Sequence, residues 1–152
     1  MTIAPEQTVA AVKDPRELIS PELFSRLVAR VQEEMPVSAF YAERVVDQAL
    51  VFLKTIADNP EDRALTPSRA VDPGWHAFLA FTPEYAAFCR EITAGRFIHH
   101  IPVLPGETLT GKSLEHTIDV MRASGYPVDA SMWQQQASCG STDSCDYRIE
   151  TL

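Results

Sequence analysis

Apolar side chains recur three and four residues apart over most of the chain, and no alternating run of useful length interrupts them. Leu23, Phe24, Leu27, Val28 and Val31 make one such face between Ser20-Pro21-Glu22 and Met35-Pro36. Ser20 is a good N-cap and Pro21 suits the first helical position, so a helix begins there, and Asp14-Pro15 repeats the device. Ser38 opens a longer helix running to Ala57, the central core helix, mostly apolar at Phe40, Val45, Ala49, Phe52, Leu53 and Ile56, with Glu43, Arg44, Asp47, Gln48 and Lys54 solvated. Asp58-Asn59-Pro60 ends it, and Glu61-Asp62-Arg63 leads to Thr66-Pro67-Ser68.

From about Ser68 a third pattern places Trp75, Phe78 and Leu79 on one face. Thr82-Pro83-Glu84 reads as a cap and restart for a helix from Pro83 to about Thr93, and Gly95 stops it before Phe97-Ile98. A loop over residues 103–107 precedes a helix from about Thr108 to Ala123, carrying Leu114, Ile118 and Met121 and closed by Gly125. Asp129 caps a short segment with Met132 and Trp133, and periodicity is lost beyond Gln136. The expectation is an all-α single compact domain of six or seven helices around the central one, spanning 14–136. A mobile N-terminus (1–13) and a flexible, polar, cysteine-containing tail (137–152) flank it.

A length of 152 residues with 45% apolar content suits one core. The net charge of −8, with Lys and Arg scattered, disfavours a nucleic-acid partner. No window approaches the roughly 18 apolar residues of a membrane span, and the N-terminus lacks the charge-then-apolar order of a signal peptide, so the expected location is cytoplasmic. Phosphate-loop, dinucleotide, nucleophile-elbow and H-E-x-x-H templates are absent, which argues against a nucleotide cofactor. Three cysteines are an odd number for a disulfide framework. Cys89 sits on an apolar face as a small core residue, whereas Cys139 and Cys145 lie in the polar run CGSTDSC. Those two read as neutral tail thiols, a labile disulfide or additional metal ligands.

The chemistry concentrates between Asp72 and Pro102, which hold three of the four histidines. Asp72 and His76 are four apart, one turn and about 6 Å along a helix axis. If the two following helices fold back antiparallel, His76 and Cys89 reach similar heights, and His99 or His100 returns after the stop. Asp72, His76, His99 and His100 are therefore the candidate metal ligands, with Asp72, His76 and His100 as the preferred triad. Two histidines and a carboxylate suit zinc, iron, manganese or copper and leave positions open for substrate. His99 can replace Asp72, which then orients His76 through its other ring nitrogen. Neighbouring residues of an extended segment face opposite ways, so one of the pair points elsewhere.

Other readings use the same residues. Asp72, Trp75, His76 and His100 can form a buried hydrogen-bond network pinning the helices together. Metal-free catalysis would make His76 or His100 a general base with Tyr85 or Cys89 as partner. His116 reads as a surface histidine of the last helix.

The run Val71-Asp72-x-x-Trp75-His76, then Tyr85 with Phe88-Cys89, then Gly95-Arg96-Phe97-Ile98-His99-His100-x-Pro102 resembles bacterial members of the glycine-rich domain-containing protein-like family. The plant and fungal pattern of that family is D-x-x-W-H-x-H with a downstream tyrosine and a later histidine. Asp72, Trp75, His76, Tyr85 and His100 match it one by one. Phe78 stands where that pattern has a second helical histidine, and His99 where it tends to an acid. The resemblance implies the location of a site and no established activity. The reading is a metal-dependent small enzyme acting on a small organic molecule; the alternative is a non-catalytic interaction or accessory module.

Overall fold

The computed structural model describes residues 11–134 and 145–151. Among these, the helices are α1 (Pro21–Glu34), α2 (Ala39–Asp58), α3 (Asp72–Leu79), α4 (Thr82–Ile92) and α5 (Leu114–Ala123), with 3-10 turns at Pro15–Leu18 and Ala130–Met132. Strands β1 (Arg96–Pro102) and β2 (Cys145–Thr151) pair antiparallel, Arg96 opposite Thr151 and Pro102 opposite Cys145. The expected all-α fold of six or seven helices is thereby overturned: five α-helices and a two-stranded sheet make a mixed architecture.

The physical reason is local shortness. β2 alternates Cys145, Tyr147 and Ile149 with Asp146, Arg148 and Glu150, and Cys145 and Tyr147 are buried, but seven residues in a polar tail carry little periodic signal. β1 hides its period behind two consecutive histidines and finds its partner more than forty residues away. The tail expected to be flexible thus includes a strand, while Cys139 lies outside the described residues.

Side-chain caps start the helices where the pattern placed them. Ser20 Oγ accepts from the Leu23 amide and Ser38 Oγ from the Tyr41 amide, both at 3.1 Å. Ser113 does the same for α5, which begins there rather than near Thr108. Ser68 is not yet helical: its buried hydroxyl donates to the Met132 carbonyl at 2.6 Å, and α3 starts at Asp72.

α2 is the core, with Val45, Val46, Ala49, Leu50, Val51, Phe52, Leu53 and Ile56 all buried. Gln48, expected in solvent, is only 3% exposed. Its carbonyl accepts from the Trp133 indole at 2.8 Å and the Asp129 amide at 3.1 Å, and its amide donates to the Pro127 carbonyl at 3.1 Å. A buried amide with three partners is satisfied, and it ties the segment after α5 to the central helix.

α3 lies directly on α2 because Gly74 has no side chain. A Cβ there would stand 2.8 Å from Ala49 Cβ and 2.9 Å from the Val45 carbonyl oxygen. That approach seats Trp75 and Phe78 in the core and leaves Asp72 and His76 at its margin. The turn from α4 into β1 uses Ala94 and Gly95 at positive φ, and the Gly95 amide closes onto the Arg90 carbonyl at 2.8 Å.

Gly74→Ala should force α3 off α2 and lower stability by about 1–3 kcal/mol, the usual range for overpacking, measurable by urea denaturation. Acid should also destabilise the fold. Arg44 holds Asp129 below the ordinary 3.8 against an opposing effect of burial. Burial pushes Asp62 and Asp146 up, but their bonds to His116 and Lys112 outweigh it and leave both low. A depressed carboxyl contributes fully above its unfolded value and loses that contribution as pH falls through the folded one. Tm should therefore hold above about pH 4 and decline below it, and Asp129→Asn should remove part of the decline.

Candidate metal centre

The site is built from the first residue of α3, the helical turn above it, and the facing ends of the two strands. Asp72 opens α3, where the helix dipole favours a carboxylate, and His76 follows one turn later with its Nε2 3.0 Å from Asp72 Oδ2. His100 comes from β1, and its Nε2 lies 2.9 Å from His76 Nε2 and 3.6 Å from Asp72 Oδ1. Cys145, the first residue of β2, brings Sγ to 3.3 Å from Asp72 Oδ2 and 3.9 Å from His76 Nε2. One donor atom from each of the four lies within 4.8 Å of the others.

Two observations test whether this set fits a cation. Donors at about 2.0–2.3 Å around a tetrahedral ion stand roughly 3.3–3.7 Å apart, and the separations above, 2.9 to 3.9 Å, bracket that range. Proton counting is the second. His76 Nε2 carries at most one hydrogen, yet it faces another imidazole nitrogen and a carboxylate oxygen at hydrogen-bonding distance. Asp72 Oδ1 is buried with no hydrogen-bond partner. A positive ion at the centre satisfies all four donors together, so the residues fit a divalent metal.

The ionisable groups are coupled to one another. Burial pushes the Asp72 carboxyl up, but the imidazoles of His100 and His76 beside it outweigh that and hold the group well below the usual carboxylate range. The bond to Asp72 raises His76 above its ordinary value, against burial. Cluster members line a pocket of about 700 Å³ whose other walls include Arg30 and Glu34 of α1, Met35 just after it, Arg69, and Pro102-Val103.

Of the expected ligands, Asp72, His76 and His100 come together. His99 does not: it alternates to the other face of β1, where its ring packs on Phe97 at 4.7 Å and its Nε2 lies 3.6 Å from Glu150. Cys145, one of the two tail thiols offered as possible additional ligands, joins them, carried there by the short alternation of β2. The pocket residues Arg30, Glu34 and Arg69 carried no sequence signal, because only tertiary packing brings α1 beside α3.

Tyr85 and Cys89 belong to the support. Buried Tyr85 donates to the Ile98 carbonyl at 2.6 Å and accepts from the Trp75 indole at 2.9 Å, so its hydroxyl joins α3, α4 and β1. Burial drives its pKa far up, and burial likewise raises the Cys89 thiol, which leaves neither as a ready acid or nucleophile. Cys89 is fully buried and absent from the cluster and its pocket, so α3 and α4 do not place it beside His76. His116 sits elsewhere, bonded to Asp62 at 2.6 Å.

A family model matches residues 16–122. The chain belongs to the UCP032817-like family. The matched segment contains Asp72, His76 and His100, and Cys145 lies beyond it. Searches of curated proteins and of solved structures return no match. Among the described residues no helix is long and apolar enough to cross a membrane.

Tyr85→Phe should strand the Trp75 N–H and the Ile98 carbonyl in the core. The expected loss is about 1–3 kcal/mol, read from chemical denaturation.

Proposed function

We propose that this protein is a metal-dependent enzyme acting on a small organic molecule, with Asp72, His76, His100 and Cys145 as the ligand set. The observation that carries this reading is the convergence of four donor atoms within 4.8 Å around a buried, unpartnered carboxylate oxygen at the wall of a 700 Å³ pocket. A pocket of that size accommodates a small-molecule ligand. Two imidazoles, a carboxylate and a thiolate favour zinc among zinc, iron and copper, because tetrahedral sulfur and nitrogen sets are its common environment. A bound divalent ion supplies a Lewis acid that polarises a carbonyl or lowers the pKa of coordinated water.

The chain's own residues set the rest. Trp75 and Tyr85 hold α3 and β1 so that His76 and His100 face one point, and the edge of Trp75 packs on the His100 ring at 4.6 Å. Arg30, held by Glu33 at 3.0 Å and Glu34 at 2.8 Å, presents a guanidinium on the pocket wall, where it orients an anionic part of the substrate. A reducing, cytoplasmic compartment belongs to the same reading, since a thiolate ligand has to stay reduced. Kinship with bacterial members of the glycine-rich domain-containing protein-like family is supported by Asp72, Trp75, His76, Tyr85 and His100.

A non-catalytic interaction or accessory module is favoured by one observation. A single proton on His76 can bridge to Asp72, which makes the group a helix-to-strand clasp. Elemental analysis of tag-free protein purified without chelator separates the two. The enzyme reading expects about one metal per chain, lost in both His76→Ala and His100→Ala with helical circular dichroism retained. No uptake of zinc, iron(II) or copper on reconstitution would sink it in favour of the clasp.

A further inference from the structure

We propose that the substrate of this centre is an acyl compound with an apolar tail: its carbonyl oxygen meets the donor cluster, and its hydrocarbon body lies along the pocket wall beside it. The inference rests on the metal reading above and names the substrate class of that same site.

Each element that supplies a donor also supplies apolar neighbours to the same pocket. Asp72 and His76 stand one helical turn apart on α3, and Pro73 and Ala77 repeat that spacing one residue on, so an apolar row runs beside the donor row. On β1, Pro102 lies two residues from His100 and therefore on the same face, and Val103 follows it. Met35, just after α1, adds a third side. These side chains line the same pocket of about 700 Å³ as Asp72, His76, His100 and Cys145.

Proline, alanine and valine side chains offer a ligand no charge and no hydrogen bond, so what they select is apolar area. The thioether of Met35 is unbranched and adapts to tails of different shape. Arg30 and Glu34, on the same wall, join each other at 2.8 Å, and the pair adds no net charge beside the apolar strip. Polar recognition therefore falls to the donor cluster, where the buried Asp72 Oδ1 has no hydrogen-bond partner. A polar anchor between apolar walls holds an amphiphilic molecule by its head and the rest of it by burial. Among oxygen heads, a carbonyl is the one that a bound divalent ion polarises.

The test uses the full chain loaded with cobalt(II) and titrated with aceto-, butano- and hexanohydroxamate, which share a carbonyl-bearing, metal-binding head and differ in tail length. Each should shift the visible cobalt bands, and the dissociation constant should fall by about two- to fourfold per added methylene, as for partial to full burial of that group. Val103→Asp and Met35→Asn should each keep the cobalt and flatten the series. No dependence on chain length in the wild type overturns the inference, and so does a cobalt spectrum that no member moves. Wild-type slopes in both variants also overturn it, because the tail then lies elsewhere. Should one variant unfold, the other reads the wall, and the wild-type series decides without either. Failure of the metal reading itself is distinct: the wild type then takes up neither cobalt nor zinc, before any hydroxamate is added.

Discussion

One phenol oxygen holds the candidate site together. Tyr85, on α4, takes the indole proton of Trp75 on α3 and gives its own to the Ile98 carbonyl on β1. In an apolar interior each of these groups would be costly to leave unpaired, so the three elements are bound to one relative position. His76 is the next residue after Trp75, and His100 lies two residues after Ile98. The network therefore fixes the distance between two imidazoles that are themselves near the surface, His76 being about half exposed. Gly74 complements it from below by letting α3 sit against the α2 backbone. A buried, polar, fully satisfied joint under a half-open donor cluster is a rigid base for ligand geometry.

The cluster shows the opposite balance. Its carboxylate is buried and retains an oxygen without a partner, and its imidazole nitrogens crowd one another. Within the same small domain, the amide of Gln48 finds three partners and the hydroxyl of Tyr85 two. Among the described residues Asp72 Oδ1 is the one buried side-chain oxygen or nitrogen without a hydrogen bond, 3.6 Å from His100 Nε2, while Oδ2 takes the contacts of His76 and Cys145. Asp72 is held in its charged form despite burial.

Much of the helical framework was legible locally. Ser20-Pro21 and Ser38 act on amides within three residues, so their chemistry needs nothing distant, and Gly95 ends α4 by a backbone bond five residues long. The spacing of Asp72 and His76 is likewise a helical property, and placed both on one face. The strands were not legible: the two histidines of β1 break any simple alternation, and β2 is seven residues in a polar tail. Gln48 was read as solvated because a glutamine on a helix looks the same whether it meets water or the Trp133 indole.

By itself, then, the sequence indicated where α1, α2 and α4 run and put Asp72 and His76 on one helical face, because caps and helical periodicity are short-range. Tertiary structure brought the preferred His100 to Asp72 and His76, turned His99 away, and alone decided that Cys145 stands beside them and that α1 supplies a guanidinium to the pocket. The choice between His99 and His100 depends on which face of β1 turns inward, and that is the face of fully buried Ile98, which His100 shares. The arrival of Cys145 depends on register with a strand more than forty residues away. Contacts of that range arise from packing and pairing between elements, which no local pattern encodes.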